Sequence, residues 1–165
     1  MVKLPYSGLP LSKLAATETR SRPGARARTR GPGNSPEIFG RLQEGIALQL
    51  KGSLGLAGEI YQGILAKYPN HPDALHLMGT VAMGAGQIDG ALNLLKRAVA
   101  GKPTDPSIRI NIAIALLAKD EPDTAEFHLR KALKALPDRA EVLLASCRMA
   151  MGDTSGARKI SSTIS

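Results

Sequence analysis

The 165-residue sequence predicts an all-α fold in which antiparallel helix pairs stack into a solenoid. Three observations support this prediction. Pro69, Pro103 and Pro137 recur at a spacing of 34 residues, which is typical of a helical repeat. Turn signals interrupt each unit near its middle and divide it into two helices. No window alternates between apolar and polar residues with a period of two, so no sheet is expected.

Helix boundaries follow from capping residues and prolines. Ser35, His71 and Asp105 each stand immediately before a proline, and proline is favoured in the first turn of a helix. Asp120 and Glu121 precede a further proline and predict another helix start in the same way. Capping and the helix dipole explain this acidic cluster better than a cation site does. The expected helices span residues 37–51, 54–67, 72–84, 88–101, 106–118, 122–135, 139–151 and 154–162.

Small residues recur at the same 34-residue spacing in two further columns. One column lies on the first helix of each pair, and the other lies early on the second helix. A bulky side chain in either column would hold two antiparallel helices too far apart to interdigitate. Cys147 belongs to the first column, so we expect a buried space-filling role rather than a nucleophile. The structural columns are Gly45, Gly79, Ala113 and Cys147 on the first helices, Ala57, Ala91 and Ala125 on the second, and Pro69, Pro103 and Pro137 at the ends of the units.

The segment 1–35 differs from the rest of the chain in composition and charge. It holds seven of the 22 basic residues and one of the 14 acidic residues, so most of the net charge of +8 lies there. Its Pro, Gly, Ser and Arg content without any apolar period predicts a disordered basic tail. Three interpretations of this tail remain open. It is a solvated extension, an organellar targeting segment, or a segment that contacts nucleic acid or an anionic membrane surface nonspecifically.

The stretch from residue 73 to 106 resembles the tetratricopeptide repeat pattern. Its motif runs Leu75-x-x-Met78-Gly79-x-x-Ala82, then Ala91-x-x-x-Leu95, then Pro103. In that register the domain 36–165 holds about three and a half units, with repeats at 38–71, 72–105 and 106–139 and a partial repeat at 140–165. The resemblance implies a right-handed superhelix whose concave face is lined by the first helix of each pair.

The sequence departs from that family pattern at two places. The aromatic residue of the first consensus column is replaced by Arg41, Leu75, Arg109 and Leu143. In the partial repeat, Ala157 arrives two residues early, so its second helix is expected to be shifted or frayed. With no following unit in the chain, that end is expected to allow self-association through an uncapped face.

The resemblance implies that a peptide or a partner protein binds in the concave groove. A carboxylate clamp made from Lys, Arg and Asn on successive first helices is disfavoured, because only Asn111 fits it. A ladder of Asn side chains is absent too, since one residue in four of that column is Asn. The remaining groove is more apolar than polar and suits an amphipathic or extended apolar segment. The candidate groove residues are Leu42, Gln43, Ile46, His76, Thr80, Met83, Ile110, Asn111, Ile114 and Leu117.

Few side chains in this sequence predict chemistry. His71, His76 and His128 have no metal-ligand spacing and are interpreted as solvated surface residues. No phosphate-binding glycine motif occurs, and one cysteine allows neither a disulfide framework nor a multi-cysteine zinc site. We therefore expect a non-catalytic interaction scaffold without a cofactor or a metal.

An alternative function is a repeat segment of a larger or truncated bacterial enzyme. The residue pattern of the best-matching repeat, residues 73–106, also resembles that of repeat arrays that precede the catalytic domains of sulfotransferases and glycosyltransferases. No specific nucleic-acid binding is expected, and no stretch approaches 18 consecutive apolar residues, so no membrane span is expected. A cytoplasmic location is the expectation, with the targeting reading of the tail left open.

Overall fold

The structure, a computed structural model, describes residues 35–152. This part of the chain consists of helices and contains no strand, so the prediction of an all-α fold is confirmed. The predicted tail and the predicted helix 154–162 lie outside the described residues. The helices are α1 (Pro36–Leu50), α2 (Leu54–Lys67), α3 (Pro72–Gly84), α4 (Ile88–Gly101), α5 (Pro106–Ala118), α6 (Pro122–Ala132) and α7 (Pro137–Ala150).

Side-chain caps start the first helix of three successive pairs. Ser35 Oγ accepts from the Ile38 amide at 3.3 Å, and Asp105 Oδ1 accepts from the Ser107 amide at 2.9 Å. At α3 the cap is His71, whose Nδ1 accepts from the Ala74 amide at 3.3 Å. The prediction that His71 is solvated is therefore wrong: the residue is 6% exposed, because the cap draws its ring onto the start of the helix.

A left-handed residue follows the first helix of each pair. Gly52, Gly86 and Gly152 have φ values of 80°, 76° and 80°, and Asp120 takes the equivalent place with φ 60°. Glycine adopts this conformation without the steric penalty that a Cβ brings, and Asp tolerates it better than most residues do. The turns after α1, α3 and α5 keep the 34-residue spacing, but the last turn comes two residues early.

The helix α7 is displaced along the sequence relative to the repeat. Pro69 and Pro103 lie in the loops after α2 and α4, whereas Pro137 is the first residue of α7. The same residue type at the same spacing thus has two roles, because proline is tolerated both in a turn and at a helix start. The helix α6 correspondingly ends at Ala132 rather than at residue 135.

The helices stack in chain order, and the stack is curved. Each helix packs against the next one along the chain. In addition, α1 contacts α3, α3 contacts α5 and α5 contacts α7, while within residues 35–152 no comparable contact joins α2 with α4 or α4 with α6. The first helices are therefore closer to one another than the second helices are. This places them on the inner side of a solenoid.

The small columns lie where the two helices of a pair touch. A Cβ built on Gly45 would lie 2.8 Å from Tyr61 Cζ, and one built on Gly79 would lie 2.9 Å from Leu95 Cγ. The alanines at 57, 91, 113 and 125 and the cysteine at 147 have no exposed surface. Small side chains thus leave room for the large residue four positions after the second column.

None of the helices between residues 35 and 152 is long and apolar enough to cross a bilayer.

Candidate partner-binding groove

The inner face of the solenoid is formed by one stripe of each first helix. The stripes occupy corresponding positions at i, i+4 and i+7, a spacing that keeps three side chains on one side of a helix. We call the surface formed by these stripes the inner groove. Its members are Leu42, Ile46 and Gln49 on α1, His76, Thr80 and Met83 on α3, and Ile110, Ile114 and Leu117 on α5.

Three of the predicted groove residues lie in the core rather than at the surface. Ile110 has no exposed area, and Leu42 and Asn111 are 7% and 8% exposed. The curvature explains this burial, since it brings neighbouring first helices together and covers the base of the stripe. These residues form the floor of the inner groove and present almost no surface to a ligand.

The accessible part of the inner groove is apolar with one hydroxyl. Ile46, Thr80, Met83, Ile114 and Leu117 are all half-buried, so each presents part of its side chain to solvent. The predicted Gln43 is half-buried as well, next to Leu42 on α1. Aliphatic side chains at this depth can lose further apolar area to a bound segment, which is the main source of attraction in such a groove.

A polar bridge connects α1 and α3 at one end of the inner groove. Gln49 Nε2 donates to Thr80 Oγ1 at 2.8 Å, and Gln49 Oε1 accepts from Tyr61 Oη at 3.2 Å. The Thr80 hydroxyl donates in turn to the Leu77 carbonyl oxygen at 2.7 Å. Sequence reasoning missed Gln49, although it stands 34 residues before the predicted Met83 and so occupies the same column.

A second polar bridge connects α3 and α5. Asn111 Nδ2 lies 2.7 Å from His76 Nε2, and because an amide nitrogen can only donate, this imidazole nitrogen accepts. Burial lowers the pKa of His76 below 6.5, which favours the neutral ring that this bond requires. The prediction that His76 is a solvated surface residue is wrong, because the neighbouring helix holds its ring. Asn111, the amide that the sequence predicted for the groove on α5, is likewise committed to the fold.

Exposed apolar residues extend the inner groove at its α1 end. Phe39 and Leu50 lie on α1 close to its stripe of groove residues, and both are largely exposed. Phe39 stands three residues before Leu42, and Leu50 stands four residues after Ile46, so helical spacing places them beside the stripe. The sequence analysis did not include Phe39 or Leu50 among the candidate groove residues. Their spacing of three and four residues from the stripe is the signal that could have identified them.

Within the described residues, no side chains form a reactive or metal-binding constellation. No group of three His, Cys, Asp or Glu side chains between residues 35 and 152 could hold a metal ion. Cys147 is buried, and burial raises the pKa of its thiol to about 11, so the nucleophilic thiolate is scarce at neutral pH. His128 on α6 is half-buried and its Nδ1 is inaccessible to solvent, because the ring packs onto the fold, so the prediction that it is a solvated surface residue is also wrong.

Comparison with known proteins identifies the repeats. A family model described as "Tetratricopeptide repeat" matches residues 48–109 and 82–143, which together span more than half of the chain. A comparison with curated protein sequences gave no match.

Solved structures show the same fold. A mutant O-GlcNAc transferase of Thermobaculum terrenum is 28% identical with a TM-score of 0.64, over 67% of this chain and 22% of that one. MamA from Desulfovibrio magneticus RS-1 is 24% identical with a TM-score of 0.69, over 79% and 74% of the two chains. MamA MSR-1 is 19% identical with a TM-score of 0.62, over 76% and 77%. The chain thus spans about a fifth of the transferase and most of each MamA chain. The family match and the helix pairs together show that this chain belongs to the tetratricopeptide repeat family.

Proposed function

We propose that this protein is a non-catalytic scaffold that binds a partner segment with apolar anchors in the inner groove. The observation that carries the proposal is the half-buried row on successive first helices, in which Ile46, Met83 and Ile114 present aliphatic surface on one side of the solenoid. Exposed Phe39 and Leu50 continue this apolar surface at the α1 end. A bound amphipathic or extended segment would remove this area from water.

The chemistry of the groove also favours apolar over charged ligands. No Lys or Arg occurs in the i, i+4 and i+7 stripes of α1, α3 and α5. The nearest polar groups, in the two bridges, already have partners within the fold. Binding should therefore depend weakly on ionic strength, because electrostatic attraction contributes little to it.

Selection from a displayed library of random peptides, with the full chain as bait, tests this proposal. We expect the selected peptides to share apolar anchor residues at helical or alternating spacing. The groove variant Ile46→Glu plus Met83→Glu should abolish their binding, because it places two charges against the apolar anchors. Its matched control is Leu56→Glu plus Gln87→Glu, which introduces the same charges at exposed side chains outside the stripes.

The control separates groove binding from general stickiness. Both variants must retain the helical circular dichroism of the parent chain before binding is compared. Peptides with apolar anchors whose binding survives the groove variant, or is lost equally in the control variant, would contradict the proposal. A selection that yields no peptides with apolar anchors would also contradict it.

The alternative of a repeat array within an enzyme has a narrower basis. It rests on the likeness to the transferase, of which this chain matches 22%. The genomic sequence downstream of this chain tests it: an open reading frame that continues in phase into a transferase domain would favour the enzyme, and its absence would favour the scaffold.

Self-association is a further part of the proposal. Val142 and Met149 lie seven residues apart on α7 and are 56% and 64% exposed, so they share one apolar side of the last described helix. The partial repeat also contains Ile160 and Ile164, which lie outside the described residues. Sedimentation of the full chain should show concentration-dependent association that Val142→Gln plus Met149→Gln reduces. An unchanged association constant in that variant would overturn this assignment.

A further inference from the structure

The outer surface of the solenoid carries a cationic depression. Its volume is about 440 Å³, and the outward side of α4 forms one wall. Lys96 and Arg97 line that wall, and Lys119 enters from the end of α5. Asp89 also lines the depression, whereas Leu92 lies beneath it with 5% of its surface exposed. The depression is therefore on the side of the solenoid opposite to the inner groove, and it has a different chemistry.

Three helices bring further positive charge to the same region. The charges of Arg109 on α5, Lys131 on α6 and Lys96 on α4 all act on the imidazole of His128. Arg109 occupies the column in which the repeat family has an aromatic residue, so a charge replaces an apolar side chain here. Lys96 belongs to both groups and joins the depression to the His128 cluster. We call the combined surface the outer cationic surface.

Most of the cations of this surface have no carboxylate partner within the described part of the chain, and Lys119 is the exception. Lys119 pairs with Asp89 at 2.8 Å and with Glu121 at 3.5 Å. By contrast, Arg97 donates to the Pro69 carbonyl oxygen and Arg109 donates to the Pro103 carbonyl oxygen, and neither acceptor carries a charge. Within residues 35–152, no ion pair involves Lys96, Arg97, Arg109 or Lys131.

The imidazole at the centre of the cluster has an unused buried nitrogen. His128 Nδ1 is inaccessible to solvent and has no hydrogen-bond partner among the described residues. Burial, followed by the charges of Arg109, Lys131 and Lys96, lowers the pKa of His128 below 6.5. The charges of three cations from three helices thus act on one imidazole, and an added anion would offset them.

We propose that the outer cationic surface binds an acidic segment of a partner protein, whose Asp and Glu carboxylates pair with Lys96, Arg97, Arg109 and Lys131. Charge complementarity is the basis of this assignment. The exposed Phe127 beside Lys131 would receive an apolar residue of the same segment.

Other occupants fit this surface less well. The chain's own segment 1–34 and a second copy of the chain are both net positive, so they repel it. For single-stranded nucleic acid, the surface lacks a free stacking platform, because the Lys131 ammonium group lies 4.2 Å from the centroid of the Phe127 ring and covers that face. A carboxylate at the Lys119 end also interrupts the row of cations that a phosphodiester backbone would follow.

Fluorescence anisotropy of the full chain with a short labelled polyglutamate peptide tests the proposal. The variant Lys96→Glu plus Lys131→Glu reverses two exposed charges of the surface. Its matched control, Lys51→Glu plus Lys67→Glu, reverses two exposed lysines outside the surface and leaves the same net charge. We expect the surface variant to weaken binding by at least about tenfold and the control to weaken it by less than about twofold.

The control and a competing ligand make the outcome decisive. Equal weakening in both variants would overturn the proposal, since it would assign the binding to net charge or to the basic tail. A labelled oligothymidylate that binds more tightly than the peptide, and whose binding the surface variant weakens more, would overturn it in favour of nucleic acid. In the supporting case, NMR of the imidazole also shows the pKa of His128 rising on peptide addition, because bound carboxylates offset the charges of Arg109, Lys131 and Lys96.

Discussion

Asn111 on α5 donates its amide hydrogen to His76 on α3, over 2.7 Å between Nδ2 and Nε2. Both side chains were candidates for ligand contact, and the fold uses them instead to hold neighbouring repeats together. The bond requires an unprotonated Nε2, because the amide nitrogen cannot accept. A contact between repeats therefore depends on the charge state of one imidazole.

Acidification should weaken the fold through His76. Burial lowers the pKa of His76 in the folded state, so the unfolded chain, with a pKa near 6.5, binds the proton more tightly. The stabilisation is therefore complete above the unfolded pKa and is lost as the pH falls through the folded one. Urea unfolding near neutral pH and near pH 5 measures the loss. The charges of Asp105 and Asp73 act in the opposite direction and raise the pKa of His76. Both residues are retained in every protein that is compared.

The variant His76→Gln supplies the control for this pH effect. Its side-chain oxygen can accept from Asn111 but does not titrate, so the loss of stability on acidification should be smaller than in the parent chain. His128, whose pKa is also lowered, contributes equally to both proteins and cancels in the comparison. An identical acid dependence in the two proteins would show that His76 is not the responsible group.

The bridge between Gln49 and Thr80 should contribute measurably to stability. A double-mutant cycle with Gln49→Met and Thr80→Val isolates their interaction from the separate effect of Tyr61 on Gln49. We expect a coupling energy of about 1 kcal/mol, typical of a partly buried hydrogen bond. Denaturant unfolding of the four proteins measures it. Strict additivity of the two single changes would contradict a direct bond across α1 and α3.

Two glycines of α1 should respond to alanine in opposite directions. A Cβ at Gly45 would overlap the buried Tyr61 ring, whereas a Cβ at Gly40 has nothing within 4 Å. We expect Gly45→Ala to destabilise the fold by about 1–3 kcal/mol. Gly40→Ala should stabilise it by about 0.5–1 kcal/mol, because alanine loses less backbone entropy in a helix. Thermal or urea unfolding distinguishes the two, and equal effects would contradict the packing of α1 on α2.

Burial within the stripes of the inner groove should separate core residues from ligand-facing ones. Ile110 is fully buried, so Ile110→Ala should destabilise the fold by about 2–5 kcal/mol through the cavity it leaves. Ile46 is half-buried in the inner groove, and Ile46→Ala should have a clearly smaller effect on unfolding. A charge at Ile110 would thus unfold the chain rather than report on binding. Similar losses at both positions would contradict the assignment of floor and surface.

Local chemistry explains why most of the helices could be predicted. The caps Ser35 and Asp105 and the left-handed Gly52 and Gly86 act within a few residues of their own position, so the sequence shows them directly. Pro137 is different, because a proline is compatible with both a loop and the first turn of a helix. Whether Pro137 lies in a loop or starts a helix depends on how α7 packs, and the 34-residue spacing gives no information about that packing.

The degree of burial of individual residues on one side of a helix could not be predicted in the same way. Ile110 and Ile114 are four residues apart and share one side of α5, yet one is fully buried and the other half-buried. The difference arises from the curvature, which brings α3 against one end of the stripe. Periodicity identifies the side of a helix, but the approach of its neighbour decides which residues on that side remain accessible.

The central claim is that a partner segment occupies the inner groove, and methyl NMR tests it most directly. The full chain, labelled at Ile, Leu, Met and Val methyl groups, would be titrated with a peptide selected for binding. The account predicts shift changes at the methyl groups of Ile46, Met83 and Ile114, with those of Leu56 and Val142 unchanged. Shift changes at Leu56 or Val142, with the groove methyl groups unchanged, would contradict it.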